Sequence, residues 1–402
     1  MSLLDDTCAI LGELIGFATV SAESNLDLIA YAAERLGECG ATIAINRDES
    51  GAKANLFATI GPEGDGGIVL SGHTDVVPAD ATEWTSDPFA MREKDGRLYG
   101  RGACDMKGFI AAALAMAPRF AAAKLVRPVH LAFTYDEEVG CFGGQQLVAD
   151  LERCGIRPSV AIVGEPTMMR IIEGHKGCYE YTTEFHGLDG HGSDPDAGVN
   201  AIEYAVRYVS RMLELGEKLK RRPAEGSRFR PPWTTLQVGR VEGGTARNVI
   251  ARHCAVEWEM RPVHLHDAAE VKAELKAYCD EVLLPAMRAV SPEADIVTHV
   301  IGEVAGLEPV PLNEAREIVS ALTGQHECDV VPFGTEAGLF QAYGMSVVVC
   351  GPGSIEQAHK PDEFVSREQL QACLNMLSGL ERSLEHDPEK RMPVFREDHA
   401  RI

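Results

Sequence analysis

The sequence predicts an α/β protein in which the larger part is a doubly wound, mostly parallel sheet and a smaller α+β unit is inserted into it. Short apolar runs at 68–71, 128–135 and 159–163 alternate with segments of helical periodicity. That alternation is typical of a parallel sheet with helices on both faces. Past Gly177, the runs instead alternate apolar and polar residues in the order β-α-β-β-α-β, which predicts a ferredoxin-like unit.

The elements of the first segment follow from periodicity and from helix end signals such as Gly40. Helices are predicted at 6–17, 25–39 and 143–153, with an alanine-rich helix opened by Asp105-Met106-Lys107-Gly108, and strands at 41–46, 54–60, 68–71, 128–135 and 159–163. A glycine-rich crossing, 96–102, precedes the alanine-rich helix.

The later elements divide the chain further. In the inserted unit, strands are predicted at 179–185, 234–241, 253–260 and 295–301, with helices at 199–219 and 267–284. After about 304, helices at 313–323 and 367–384 and strands at 328–331 and 346–350 return to the first sheet, and the polar tail 386–402 is expected on the surface. The predicted domains are therefore 1–177 and 304–402 together, with 178–303 inserted.

Composition narrows the class of protein. The 402 residues are 45% hydrophobic and carry a formal net charge of −23. Clustered Lys and Arg would be needed for nucleic acid or an anionic membrane, so neither partner is expected. The start of the chain has no basic signal-peptide region, no apolar stretch could span a bilayer, and the eleven cysteines form no C-x-x-C pair. We expect a cytoplasmic protein with reduced thiols.

Five residues of metal-ligand type stand out, most of them just beyond a short apolar run: His73, Asp105, Glu138, Glu165 and His359. Chemistry in open α/β sheets collects beyond the carboxyl ends of the strands. Two imidazoles and three carboxylates suit a pair of divalent metals, with Zn²⁺ as the first choice and Co²⁺ or Mn²⁺ able to substitute.

Two neighbouring carboxylates suggest a division of labour. Asp75, two residues after His73, can accept the second ring N–H of a metal-bound imidazole. In the run Asp136-Glu137-Glu138, Glu138 is predicted to bind metal and Glu137 to act as general base. A solvated acidic turn is the other interpretation of that run. Asp105 could bridge the two metals, which would hold them ~3.5–4 Å apart.

Taken together, five stretches make the sequence similar to the M20 metallopeptidase family, and within it to the acetylornithine deacetylases. The matching stretches are Ser-Gly-His-Thr-Asp-Val-Val-Pro at 71–78, Leu-Tyr-Gly-Arg-Gly-Ala-Cys-Asp-Met-Lys-Gly at 98–108, Tyr-Asp-Glu-Glu-Val-Gly at 135–140, Val-Gly-Glu-Pro-Thr at 163–167 and Ala-His-Lys-Pro-Asp-Glu at 358–363. They occur in the family's order and cover nearly the whole chain.

The resemblance implies a two-domain di-zinc hydrolase that forms a homodimer through its inserted domain, which also acts as a lid. The implied roles are His73 and Glu165 on one metal, Glu138 and His359 on the other, Asp105 as the bridge, Asp75 as the partner of His73, and Glu137 as general base. By itself, His359 would be interpreted as a surface or packed histidine; the motif around it changes that interpretation.

The inserted unit contains further residues that resemble functional positions of the family. Gly190-His191-Gly192-Ser193 resembles a motif whose histidine reaches the neighbouring subunit's active site and stabilises the oxyanion, although Gly192 stands where a serine is usual. The resemblance implies that Asn248 and Arg261 hold the substrate's carboxylate, and Arg247 is bulkier than expected beside Asn248.

A loop of the second segment also resembles a family feature. Gly334 and Thr335 resemble a stretch that lines the substrate cleft, while a plain helix start capped by Thr335 is an equal interpretation.

The implied reaction is amide hydrolysis by a hydroxide held between the metals, with removal of the acetyl group from N-acetyl-L-ornithine as the implied activity. A succinyl-diaminopimelate desuccinylase, or another aminoacylase or dipeptidase of the family, is the close alternative. A non-catalytic metal-binding scaffold is the alternative from a different class; it conflicts with the simultaneous presence of all five ligand types and Glu137.

Overall fold

The structure is a computed structural model that describes residues 2–21 and 23–385; the predicted surface tail lies outside the described residues. The strands of the described part are β1 (Thr42–Arg47), β2 (Ala54–Ile60), β3 (Ile68–His73), β4 (Arg92–Lys94), β5 (Arg97–Tyr99), β6 (Val129–Thr134), β7 (Val160–Pro166), β8 (Ile171–His175), β9 (Cys178–His186), β10 (Thr235–Gly243), β11 (His253–Arg261), β12 (Asp295–Val304), β13 (Cys328–Val331), β14 (Ser346–Gly351) and β15 (Phe364–Ser366).

The helices of the described part are α1 (Leu3–Gly16), α2 (Leu26–Glu38), α3 (Gly108–Ala122), α4 (Phe142–Cys154), α5 (Ala201–Lys220), α6 (Leu265–Tyr278), α7 (Leu284–Arg288), α8 (Glu314–Thr323), α9 (Ala337–Tyr343) and α10 (Arg367–Leu384). None of the helices in the described ranges combines the length and the hydropathy needed to cross a bilayer.

The large sheet has eight strands in the order β1-β2-β6-β3-β7-β14-β8-β13. Its central strands β6, β3, β7 and β14 are parallel. The strands β2 and β8 that flank this block are antiparallel to it, so the sheet as a whole is mixed. The predicted α/β class is confirmed, and the parallel character belongs to the centre of the sheet, where the carboxyl ends of four strands meet.

Helices cover both faces of this sheet, as predicted. In β3, Ile68 and Leu70 pack into a core with α1, α3 and α10, whereas Val69 packs into a second core with α4 and α9. Successive side chains of a strand point to opposite faces, so a strand buried on both faces must be apolar at every position. This is why the sequences of β3 and its neighbours are continuous apolar runs.

The small sheet is antiparallel, with the strand order β10-β11-β9-β12. Its elements follow the chain as β9-α5-β10-β11-α6-β12, with α7 before the last strand, which confirms the β-α-β-β-α-β prediction. Alternate residues of β9, such as Tyr181 and Phe185, are buried beneath the helices in a core of their own. The other face of this sheet is open, and its strands therefore show the period-two alternation seen in the sequence.

Several elements were missed by the sequence interpretation. The strand β8 was not predicted, because a five-residue run containing Glu173 and Gly174 gains its burial only from partner strands on both sides. The small third sheet, β15-β5-β4, was also missed. The predicted helix 267–284 ends at Tyr278 and continues through a wider turn, Cys279–Leu283, into α7.

A long loop between α5 and β10 reaches from the small sheet back to the large one. Its Arg228 pairs with Glu173 of β8, and the Nζ of Lys176 donates to the carbonyl of Trp233 at 2.9 Å. At the crossing between the two sheets, where the chain passes from β8 to β9, the N–H of Gly177 donates to the carbonyl of Pro262 at 3.0 Å. The division into a catalytic domain of 1–177 and 304–402 with 178–303 inserted as a dimerisation and lid domain stays a proposal.

Candidate metal centre

Four adjacent strands bring the predicted ligand residues to one edge of the large sheet. His73 is the last residue of β3, Glu165 lies near the end of β7, and Glu138 follows β6. His359 lies in the segment that follows β14. The strand order β6-β3-β7-β14 therefore places residues that are far apart in sequence at neighbouring carboxyl ends, which is where ligands bind in open α/β sheets.

Asp105 reaches the same edge from a different kind of element. A left-handed Gly102 (φ +79°) ends the glycine-rich crossing, and Asp105 (φ −119°, ψ +92°) breaks the helical path just before α3. Its carboxylate stands between the two histidines. The Oδ1 lies 3.1 Å from Nε2 of His73, and the Oδ2 lies 3.4 Å from Nε2 of His359.

The remaining two carboxylates divide between the same histidines. Nε2 of His73 lies 3.7 Å from Oε1 of Glu165, and Nε2 of His359 lies 3.1 Å from Oε2 of Glu138. Ligand atoms of His73, Asp105 and Glu138 all lie within 4.8 Å of one another, as do those of His73, Glu137 and Glu165. The five residues thus form one cluster in the pairs that the family resemblance implied; their role as ligands stays a prediction.

The basic side chains beside this cluster are engaged elsewhere, and the one nearest to Asp105 in sequence, Lys107, donates to the backbone carbonyl of Phe17 at 2.7 Å. Lys53 pairs with Asp136, and Arg101 pairs with Glu363, so neither faces the cluster. Burial raises the pKa of Glu137 and Glu165, and the negative charge of Asp105 raises that of Glu165 further. Carboxylates crowded in this way are stabilised by divalent cations, so the residues present fit a metal pair.

The two histidines differ in exposure. The side chain of His73 is 1% exposed and that of His359 is 53% exposed. Contacts with Asp105 and Glu138 raise the pKa of His359 to about 10, because their charge stabilises the imidazolium. The site is therefore walled by protein on the His73 side and open on the His359 side, where a substrate can approach.

Asp75 supports the cluster in a way the sequence described only in part. The ring Nδ1 of His73 lies 3.0 Å from the backbone carbonyl of Asp75 and 3.6 Å from its carboxylate. The carboxylate instead accepts hydrogen bonds from the hydroxyl of Ser21 at 2.8 Å and the N–H of Glu137 at 3.1 Å. The carboxylate of Asp75 therefore joins the end of β3, which carries His73, to the loop that carries Glu137. The group nearest to Nδ1 of His73 is the backbone carbonyl of Asp75, not its carboxylate.

The acidic run after β6 is not a solvated turn. Asp136, in a left-handed conformation (φ +53°), turns away to Lys53 at 2.6 Å, which leaves the next two side chains directed to the cluster. The side chain of Glu138 is only 9% exposed. Glu137 is one of the carboxylates within reach of His73, and burial raises its pKa, which suits a carboxylate that must gain and lose a proton.

Sequence interpretation assigned no role to Glu363, the last residue of the His359 motif. Its side chain is buried, and both oxygens accept hydrogen bonds from the loop that carries Asp105. One oxygen accepts from Arg101 at 2.8 Å and the N–H of Gly102 at 3.0 Å; the other accepts from the N–H groups of Cys104 at 2.8 Å and Asp105 at 3.0 Å. Its adjacency to the His359 motif was the one available signal.

A second buried carboxylate, Glu336, was also missed. Its oxygens accept from the hydroxyl of Ser71 at 2.6 Å and that of Thr134 at 2.9 Å. These two hydroxyls lie at the ends of β3 and β6, so Glu336 ties together the strand ends that present His73 and the acidic run.

The substrate-binding candidates of the inserted unit lie at opposite ends of the small sheet. His191 and Asn248 are adjacent, since the N–H of Gly192 donates to the carbonyl of Asn248 at 2.8 Å. Arg261 closes the far end of β11, eight residues from His253, which corresponds to roughly 26 Å of strand. Within one chain, Asn248 and Arg261 therefore do not converge on one carboxylate, contrary to a clamp formed by a single subunit.

Arg261 lies on the side that faces the large sheet. Its guanidinium holds the carboxylate of Glu259 at 2.7 Å, so a substrate carboxylate would have to share or displace this pair. A Cβ added to Gly334 would lie 3.6 Å from that of Cys178, where β9 begins. Arg261 and Gly334 thus flank the crossing between the two sheets.

The hydroxyl of Thr335 makes its hydrogen bonds inside the protein. It lies 3.0 Å from Nε2 of His175 and accepts the N–H of Ala337 at 3.1 Å, at the start of α9. The side chain is buried, which disfavours direct contact with a substrate. The N-cap of α9 is Glu336, so Thr335 holds the turn that leads into the helix and is not itself the cap.

The two departures from the family pattern have different consequences. A Cβ at Gly192 would lie 3.1–3.2 Å from backbone atoms of Asn248, so glycine permits this close approach. Arg247 is exposed and no described contact explains it.

Comparisons with known proteins agree with this geometry. The profile described as Peptidase family M20/M25/M40 matches residues 69–382. Acetylornithine deacetylase of Pasteurella multocida is 34% identical over 359 residues, covering 89% of this chain and 91% of the relative. That of Shigella sonnei is 36% identical over 344 residues, covering 85% and 87%.

Solved structures share the fold. An M20 family metallo-carboxypeptidase of Sulfolobus solfataricus has a TM-score of 0.71 at 18% identity, covering 94% of this chain and 99% of that one. The YXEP protein of Bacillus subtilis, described as a dinuclear metal-binding peptidase, has a TM-score of 0.61 at 18% identity, covering 94% and 97%. The chain belongs to peptidase family M20/M25/M40 and is a metal-dependent amide hydrolase.

Proposed function

We propose that this protein is an acetylornithine deacetylase that uses two zinc ions to release acetate and L-ornithine from N-acetyl-L-ornithine, a step that would supply arginine biosynthesis. One observation carries the metal part of the proposal. The two oxygens of Asp105 approach two different histidines, at 3.1 and 3.4 Å, and each histidine has one further carboxylate of its own. Such a donor set would suit two metal ions, with His73 and Glu165 on one, His359 and Glu138 on the other, and Asp105 shared.

The relatives support the choice of acyl group. Both curated proteins compared above are acetylornithine deacetylases, and each aligns over more than four fifths of this chain. The dinuclear centre is supported by the description of the YXEP protein.

Zinc in such a site, when bound, polarises a carbonyl oxygen and lowers the pKa of water toward ~7. The chain's own residues supply the proton movements. The N–H of Glu137 donates to Asp75, which holds the Glu137 loop beside His73. With its pKa raised by burial, the Glu137 carboxylate can take a proton from the attacking water and deliver it to the leaving amine nitrogen.

The partner subunit would complete the substrate site. His191 is exposed, and its Nδ1 accepts the N–H of Ser193 at 3.2 Å. A backbone N–H can only donate, so in the neutral ring the proton lies on Nε2, which remains as a donor for an oxyanion. Because Asn248 lies beside His191 and far from Arg261, a carboxylate clamp with both residues requires Asn248 from one subunit and Arg261 from the other. We therefore propose a homodimer.

The test is a substrate panel on the zinc-loaded enzyme. N-acetyl-L-ornithine should give the highest kcat/KM, ahead of N-succinyl-diaminopimelate and simple dipeptides. A preference for the succinyl compound would instead make this a desuccinylase, and a preference for dipeptides would make it a dipeptidase. Zinc binding without turnover of any of them would favour the non-catalytic scaffold.

A further inference from the structure

A second group of metal-ligand residues lies on the open face of the small sheet. Nε2 of His186 lies 3.3 Å from Oε2 of Glu184, Nε2 of His299 lies 3.6 Å from that same oxygen, and Nε2 of His253 lies 4.0 Å from Oε1. Three imidazoles therefore present their Nε2 atoms to one carboxylate. All four side chains are between 32% and 51% exposed, so none is placed there by packing.

The strand register accounts for this convergence. Glu184 and His186 are two residues apart on β9 and share a face. Glu184 pairs with Ala255 on β11 and with Val297 on β12. His253 lies two residues before Ala255, directly opposite His186, and His299 lies two residues after Val297, opposite Thr182. His253 and His299 are thus diagonal neighbours of Glu184, within reach of long side chains. Glu184 is flanked directly by a small and an apolar residue, so its carboxylate has no competing partner there.

The distances fit a metal ion. Zinc binds imidazole nitrogen and carboxylate oxygen at about 2.0–2.2 Å, which puts ligand atoms of a tetrahedral site roughly 3.3–3.5 Å apart. The nitrogens of His186, His299 and His253 lie 3.3, 3.6 and 4.0 Å from the nearest carboxylate oxygen of Glu184. His299 meets the group only at Glu184, so its imidazole would have to turn toward the other two to close a four-ligand site. Ligand atoms of Glu184, His186 and His253 already lie within 4.8 Å of one another.

We propose that Glu184, His186 and His253, joined by His299, form a separate site for a divalent transition metal such as Zn²⁺. Three imidazoles and one carboxylate are borderline ligands that suit Zn²⁺, Ni²⁺ or Cu²⁺ rather than Mg²⁺ or Ca²⁺. Four protein ligands leave no open position, so the site is structural. It is distinct from the catalytic cluster, because His186 is eight residues along β9 from Cys178 at the crossing, roughly 26 Å away.

The metal would join three strands at the end of the small sheet that precedes the His191 segment. His186 ends β9, and His191 follows five residues later. The edge strand β12 contributes His299, and β11 contributes His253, so one ion would fix both strands to β9.

The chain offers a matched control for testing this site. His264 and His266 stack at 5.2 Å between centroids, but each lies near a different carboxylate, Glu308 or Asp267, so they share no common centre.

The test counts bound zinc by equilibrium dialysis and elemental analysis of the full-length protein across a range of free Zn²⁺. Native protein and the control His264→Gln/His266→Gln should each bind one zinc ion per chain more than His186→Gln/His253→Gln. The single variant His299→Gln should lower the affinity for that additional zinc ion by at least ~10-fold. That is the usual loss when a group that only orients the ligands of a metal site is removed. Circular dichroism of each variant checks the fold.

Equal zinc content in the native protein and His186→Gln/His253→Gln would overturn the proposal. Loss of the additional ion in the control would also overturn it, since that would mean binding to dispersed surface histidines. Repeating the titration with Co²⁺ gives an independent readout. The difference spectrum between native and double variant should show the intense visible absorption of a tetrahedral site; a featureless difference spectrum would contradict the closed four-ligand geometry.

Discussion

The catalytic cluster and the substrate-binding groups of the inserted unit are built in opposite ways. The five catalytic ligand candidates come from four neighbouring strand ends and one loop, and they meet within a single chain at contacts of 3.1–3.7 Å. His191 and Asn248 are exposed and lie a whole strand length from Arg261. The difference teaches that one chain is enough to bring the proposed metal ligands together, whereas the proposed substrate site needs groups from a second chain.

Removing the proposed base should have the largest effect on activity. Glu137→Gln should lower kcat by about 10²–10⁴-fold, because the amide cannot accept the proton from water. Zinc content should remain native, since Glu137 is not one of the five proposed ligands. Steady-state kinetics with metal analysis checks both. Turnover near the native rate with zinc intact would remove Glu137 from the mechanism.

The next largest effect tests the two-chain site directly. His191→Ala should lower kcat by about 10²–10³-fold, the usual effect of losing one oxyanion donor. The His191→Ala subunit keeps its own Glu137 and metal ligands. In a mixed dimer with a Glu137→Gln subunit it would receive an intact His191 from its partner, so each mixed dimer should contain one native site. Random exchange between the two variants should restore about a quarter of native activity. No recovery after demonstrated subunit exchange would show that His191 acts within its own chain.

A smaller effect should come from the buried carboxylate that positions Asp105. In Glu363→Gln, either orientation of the amide turns its NH₂ toward two donors of the Arg101–Asp105 loop. We expect zinc affinity to fall about 10–100-fold and the free energy of unfolding to fall by about 3–5 kcal/mol, since buried Arg101 also loses its partner. Zinc titration and urea unfolding measure the two effects.

Asp280→Asn is the matched surface control, because it breaks the exposed pair of Lys276 and Asp280. It should change the free energy of unfolding by less than about 1 kcal/mol and leave zinc affinity unchanged. If Glu363→Gln behaved like this control, Glu363 would have no positioning role.

The smallest effect concerns the turn after His191. Gly192→Ser restores the residue usual in the family, but its Cβ would crowd the backbone of Asn248 at 3.1–3.2 Å. A shift of a few tenths of an ångström at Asn248 should raise KM for N-acetyl-L-ornithine by less than about tenfold and change kcat little, because substrate binding is affected more than chemistry. A large fall in kcat with unchanged KM would mean that the turn orients His191 instead of Asn248.

Much of the large sheet and of the catalytic cluster could be predicted from the sequence. Strands buried on both faces appear as apolar runs, and ligand-type residues such as His73 and Glu165 mark where those runs end. Glu363 and Glu336 could not be assigned in this way, since their partners, Asp105 and Ser71, lie more than 250 residues away in the chain. The partners of a buried carboxylate depend on packing between distant segments.

The sequence by itself determined the classes of element, the β-α-β-β-α-β order of the inserted unit and the chemical types of the catalytic residues, because periodicity and ligand chemistry are local properties. Only the tertiary structure decided that Asn248 and Arg261 lie apart, and that His186, His253 and His299 converge on Glu184. These depend on strand order and register, which long-range pairing sets and a single run of sequence does not specify.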